Sequence, residues 1–164
     1  LLGVDLCRDA VQLAAAGGGS SALAVADLKR LPVADHSLDA VLDVLTPADY
    51  AEFSRVLKSG GHLIKVIPAE HYLCEIRFAA REHLRHERHD DTQVLSYLRQ
   101  HCRVGEVRRV TVTRHVTQEM SAHFLRMTPM TQKLTDEQLR DIDLPDRVTV
   151  DLTVVLCQPS SGSM

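Results

Sequence analysis

Two aspartates close short apolar runs near the start of the chain: LLGVD ends in Asp5 and LAVAD in Asp27. A carboxylate at the carboxyl end of a parallel strand sits where open α/β sheets bind their ligands. Its two oxygens can accept hydrogen bonds from ligand O–H or N–H groups. A third loop of this kind, Leu45-Thr46-Pro47, follows the apolar run of residues 37–45. His83, His86 and His89 suggest a metal site by their types alone. On a helix, steps of three residues drift by about 60° each, so the rings splay rather than converge. A solvated basic face is the better reading. Cys7, Cys74, Cys102 and Cys157 form no CxxC pair, which argues against a zinc module. They are expected to be reduced, buried and small.

These residues need elements to hold them. Residues 1–5 form a short strand, residues 9–16 a helix ended by Gly17-Gly18-Gly19, and residues 23–26 a second strand. Residues 37–45, with Leu38, Val41, Leu42, Val44 and Leu45, suit a parallel strand buried on both faces. Pro47 fits the first turn of the next helix, whose apolar stripe is Tyr50, Phe53, Ser54, Val56 and Leu57. Lys58-Ser59-Gly60-Gly61 reads as its basic C-terminus and Gly stop, with positive φ required in the Gly-Gly pair. Residues 62–67 form the next strand, closed by Pro68. Strand and helix alternating over such short connections predict right-handed parallel crossovers and a doubly wound sheet.

Further on, residues 70–101 are helical and basic, with Val94, Leu95 and Leu98 as the buried face of a helix over 92–101. Residues 104–115 alternate as a strand, and 117–127 form a helix whose stripe Met120, Phe124 and Met127 reads as core. Thr135 caps a helix, and VTVDLTVVL over 148–156 is a late strand. Residues 159–164 are expected to be a disordered tail.

With 164 residues, 45% hydrophobic and 25% charged, the chain has the make-up of one soluble globular domain. No apolar run approaches the ~20 residues that cross a bilayer, and no secretory signal is visible at the start, so a cytoplasmic location and no membrane partner are expected. The net charge of −3 excludes a generally nucleic-acid-attracting protein. Residues 77–114 nevertheless hold nine arginines against five acids. Arg99, Arg103, Arg108, Arg109 and Arg114 are either RNA-phosphate contacts or a solvent-facing set.

At LLGVD, AD…LPVADHSLDAV and LKSGG the sequence resembles class I S-adenosylmethionine-dependent methyltransferases. It departs mildly from their usual residues at Val33, Leu38 and Ser59. Within that family it is similar to the large-subunit ribosomal RNA guanine-N1 methyltransferases. Thr46-Pro47, Glu52, Arg55-Val56, Lys58 and Gly60-Gly61 match one of their motifs. Ile67-Pro68, Leu73, Glu75 and Ile76 match a second, with Tyr72 in place of its His. Leu125, Met127, Thr128 and Pro129 match a third, with Met130 and Gln132 in place of its aromatics. The resemblance runs from Leu1 to about Gln158.

The resemblance implies an α/β, Rossmann-like sheet, mostly parallel with an antiparallel late strand, over residues 1–158. It implies S-adenosyl-L-methionine as cofactor and ribosomal RNA as partner. Asp5 corresponds to the residue that binds both ribose hydroxyls, and Asp27 to the one that accepts from the adenine amine. Leu28 and Leu6 would cover the two adenine faces. Leu45 faces the methyl donor, Thr46 and Pro47 face the target base, and Arg77 begins the set of RNA contacts. Catalysis is alignment of a guanine nitrogen with an activated sulfonium methyl, plus proton removal. Asp43 and Glu75 are candidates for that proton, and neither is assigned.

Two parts of the resembled family are missing: the N-terminal zinc module and the first strand with its G-x-G-x-G turn. In the family's order 3-2-1-4-5-7-6, losing that strand splits the sheet unless the second strand pairs with the fourth or is displaced. The chain is therefore expected to be a fragment, a truncated form or a rearranged relative, and inactive alone. A class I small-molecule methyltransferase and a non-catalytic RNA- or partner-binding remnant stay open beside the rRNA reading.

Overall fold

The computed structural model of the protein describes residues 1–19, 21–84 and 92–160. The elements are β1 (Leu2–Asp5), α1 (Arg8–Ala16), β2 (Ala22–Val25), β3 (Leu38–Val44), α2 (Tyr50–Val56), β4 (Leu57–Pro68), α3 (Cys74–Ala79) and α4 (Thr92–His101). They continue with β5 (Cys102–His115), α5 (Gln118–Met127), a short 3-10 turn (Pro129–Thr131), α6 (Asp136–Arg140) and β6 (Arg147–Pro159). The strands form two sheets. One is the parallel pair β1-β2, with Leu2 opposite Ala22 and Asp5 opposite Val25. The other has the order β3-β4-β6-β5. The arrangement is α/β, mostly parallel with one antiparallel late strand. Among the described residues no strand joins β1 to β3, so of the arrangements open to a chain without the first strand, a split sheet is the one adopted.

The chain divides into two compact units. Of the described residues, the first comprises 1–19, 21–65, 99–106 and 156–160. Its core gathers around α2, where Phe53 and Val56 are fully buried beside Tyr50, Leu57 and Leu63. Tyr50 meets Phe53 edge-on at 6.3 Å and stacks on His101 at 5.2 Å. The second comprises 66–84, 92–98 and 107–155. Its core is Leu73, Ile76, Ala80, Leu125, Ile142 and Val148.

Several local expectations change. β3 is buried at Asp43 alone, and Leu42 and Val44 are exposed. Burial on both faces needs cover on both, and β3 is the edge strand of its sheet. Helix α2 begins after Pro47, because Asp49 is its cap and accepts from the Glu52 N–H at 3.0 Å. It ends at Val56, with Leu57 already extended, so Lys58–Gly61 belongs to β4 rather than to a helix C-terminus. The expected positive φ is present at Gly60, at 80°. In α4, Leu98 is buried and Val94 is exposed. In α5, Met120 and Met127 are exposed, and the buried positions are Ser121 and Leu125. An exposed Met stripe is not core. Of the expected tail, Pro159 lies in β6 and the Ser160 N–H donates to His101 O at 2.8 Å; residues 161–164 lie outside the described residues.

Candidate functional site

The loop before β3 is fastened from α2. Arg55 donates to Val33 O at 2.9 Å, to Leu31 O at 3.2 Å and to the Asp35 carboxylate at 2.5 Å. Glu52, itself buried, accepts from the Leu31 N–H at 2.6 Å and from Arg55 Nη2 at 2.6 Å. The Arg55 guanidinium holds the Glu52 carboxyl below the usual carboxylate range, and Glu52 in turn raises the guanidinium further. A planar fork meeting two carboxylates and two carbonyls fixes orientation as well as distance. Glu52 and Arg55 therefore hold the backbone of the LPVAD loop.

The carboxyl ends of β1, β2 and β3 surround one cleft of about 560 Å³. Asp5, Leu6, Asp27, Leu28, Thr46 and Pro47 line it together, so six of the eight residues singled out from sequence meet at one place. Asp5 Oδ1 accepts from the Cys7 N–H at 2.7 Å, and Asp27 Oδ1 from the Lys29 N–H at 2.9 Å. Each carboxylate is oriented by its own turn. Among the described residues Oδ2 of each has no hydrogen-bond partner. Asp5 is not the cap of α1, whose cap position is Cys7. Leu45 has φ 54°, in the left-handed region, and is 41% exposed. It turns the chain between β3 and Thr46.

Four carboxylates line the cleft, Asp43 and Asp49 beside Asp5 and Asp27. Asp49 caps α2. Asp43 is 4% exposed, and its Oδ2 accepts from Lys65 Nζ at 2.7 Å. Its Oδ1 accepts from the Thr46 hydroxyl. As a proton acceptor Asp43 is already occupied. Glu75 is as well, since it takes the Thr149 N–H at 2.9 Å and the Thr149 hydroxyl at 2.5 Å. Burial works to raise the Glu75 carboxyl, and the Thr149 bonds overcome it, holding it below the usual range. Both base candidates are engaged in hydrogen bonds within the fold.

Arg77 belongs to the second unit, where it donates to Glu70 O at 3.3 Å and Tyr72 O at 3.0 Å and so braces the turn before α3. Arg109 is held by Asp151, with Nε to Oδ1 at 2.9 Å and Nη2 to Oδ2 at 2.6 Å, while its side chain stays half exposed. Arg103 donates to Gln158, and Arg99, Arg108 and Arg114 are exposed. His86 and His89 lie outside the described residues, among which no cluster of potential metal ligands forms. Cys102 and Cys157 are buried as expected, whereas Cys7 is exposed.

Sequence reading missed Lys65 and the role of Asp151. Both carried a signal. A single charge inside an apolar strand, as in LIKVI or VTVDLTVV, must find a partner when the strand is buried.

Residues 1–65 match the family model described as a methyltransferase domain. Over 157 residues the chain is 29% identical to a Bacillus subtilis protein, YxjB, named as a candidate 23S rRNA (guanine-N1)-methyltransferase, covering 94% of this chain and 55% of that protein. It is 27% identical over 161 residues to the 23S rRNA (guanine(748)-N1)-methyltransferase of Streptomyces fradiae, covering 95% and 57%. The chain thus spans about half the length of these relatives. Among solved structures, a candidate methyltransferase from Bacillus halodurans aligns with TM-score 0.54 at 17% identity, over 95% of this chain and 81% of that one. The fold is that of class I methyltransferases.

Proposed function

We propose that this chain supplies the cofactor cleft of an S-adenosylmethionine-dependent methyltransferase acting on a guanine N1 of ribosomal RNA. The observation that carries this reading is the meeting of Asp5, Asp27, Leu6 and Leu28 around one cleft, with an acceptor oxygen of each aspartate unengaged. The volume falls within the roughly 300–1,000 Å³ of ordinary small-molecule sites. Asp5 accepts the ribose hydroxyls, Asp27 the adenine amine, and the two leucines pack on the ring faces. Thr46 and Pro47 form the wall toward the methyl group and target base, and Leu45 turns the chain into it. The bound cofactor would supply an already activated sulfonium methyl. This chain's residues would supply orientation and exclusion of water. The RNA assignment rests on the names of the curated relatives, and Arg77, with the exposed arginines Arg99, Arg108 and Arg114, extends it to phosphate contacts.

Titration calorimetry with S-adenosylmethionine tests the cleft. Asp5→Asn keeps an acceptor for the Cys7 N–H but loses the charge. It is expected to weaken binding about 10- to 100-fold, the worth of one charge-assisted hydrogen bond, with the melting temperature unchanged. No heat from folded wild-type protein at millimolar ligand would favour the non-catalytic reading. Methyl transfer from labelled cofactor to ribosomal RNA fragments, compared with small nucleophiles, tests the substrate.

A further inference from the structure

Lys65 lies in the middle of β4 and is 2% exposed. Its ammonium donates to Asp43 Oδ2 at 2.7 Å and to the Thr46 carbonyl. The Thr46 hydroxyl donates to the other oxygen of the same carboxylate. Lys65, Asp43 and Thr46 thus form a closed ring, with one carboxylate shared between a strand cation and a loop hydroxyl. Packing does not require this arrangement. The neighbours Ile64 and Val66 are aliphatic, and a buried ion pair can commonly be replaced by apolar residues without loss of stability. What an ammonium provides and a methyl cannot is a directed bond to a loop carbonyl.

That loop needs holding. It opens at Leu45 with φ 54°, a conformation that a branched residue keeps only when its surroundings enforce it. Thr46 and Pro47, which follow, line the cleft. We infer that Lys65 is a positioning residue for methyl transfer: its buried ammonium pins the Thr46–Pro47 wall of the cleft, and it acts through that wall without touching cofactor or base. The ring has a second effect. It engages both oxygens of Asp43 within the fold, so Asp43 offers the cleft no free acceptor.

The inference rests on the methyltransferase reading of the cleft, and its test separates the two. The wild-type chain is compared with Lys65→Met and with the double variant Asp43→Asn/Lys65→Met, which leaves no unpaired buried charge. Melting temperature, hydrogen exchange of peptides covering 43–49 and 57–63, and affinity for S-adenosylhomocysteine are measured. Lys65→Met is expected to lower the melting temperature, and the double variant to restore it. In the double variant, exchange over 43–49 is expected to quicken roughly tenfold with 57–63 unchanged, and affinity to drop about tenfold. A double variant with wild-type melting and unchanged exchange over 43–49 would overturn the inference alone, as would quickened exchange with unchanged affinity. Failure of the wild-type chain to bind the probe would overturn the cleft reading, and the role in methyl transfer with it.

Discussion

Asp151 is fully buried in β6, and every bond to it comes from its own unit. Arg109 approaches it with two nitrogens, the Thr111 hydroxyl donates at 2.7 Å, and the His71 N–H donates at 2.8 Å. Arg109 foremost, then Thr111 and the His71 amide, hold the carboxyl far below the usual carboxylate range against the opposing effect of burial. A group depressed in the folded state stabilises above its unfolded pKa, about 3.9 for Asp, and loses that contribution as pH falls through the folded value. Asp151→Asn should therefore cost about 3 kcal/mol between pH 5 and 8, with the gap to wild type shrinking only below about pH 4. Urea denaturation across that pH range measures it. A gap that widened on acidification would contradict the assignment. The sequence showed a lone acid in a β-prone run. Which arginine met it was not legible, because the partners lie about 40 positions apart and are brought together by strand pairing.

At the scale of elements, the Gly60-Gly61 pair shows one motif meeting two separate constraints. Gly60 has φ 80° and nothing within 4 Å of where a Cβ would stand. Gly60→Ala should cost about 1–2 kcal/mol from backbone strain alone, with Asn tolerated better. Gly61 has an ordinary φ, but an added Cβ would lie 3.0 Å from Lys58 O and 3.3 Å from Asp39 O. Backbone atoms cannot swing aside as side chains do, so Gly61→Ala should also destabilise, and Asn should give no relief there. Chemical denaturation of the four variants distinguishes these patterns. The pair was legible as a glycine requirement, yet its place inside β4 was not. A basic turn before Gly-Gly ends many helices, and here Leu57 turns extended first. Glu52 and Arg55 were legible as motif residues, while their grip on the LPVAD loop became visible only in three dimensions.

At the scale of the molecule, the divided sheet dominates. β1 and β2 form a two-stranded pair, α1 has no buried residue, and Leu13 is 77% exposed. Leu2, Val4, Leu42 and Val44 are exposed beside the open edges of β1 and β3. Two-stranded sheets are marginal in water, so local opening should be easiest here. Hydrogen exchange should be fastest over residues 2–25 and slowest over β4 and β6, and S-adenosylhomocysteine should selectively slow residues 2–6 and 22–28. Uniform protection across both sheets would contradict this. No described helix is long and apolar enough to cross a membrane.

Most element types, the strand-end aspartates and the glycine requirement at residues 60–61 depend on neighbours a few residues apart, and local composition determined them. The burial of β3, the commitment of Asp43 and Glu75 to structural bonds, and the Lys65 ring depend on which distant segments pack together. Those only the tertiary structure decided, because desolvation and partner choice are properties of a site in space rather than of a stretch of chain.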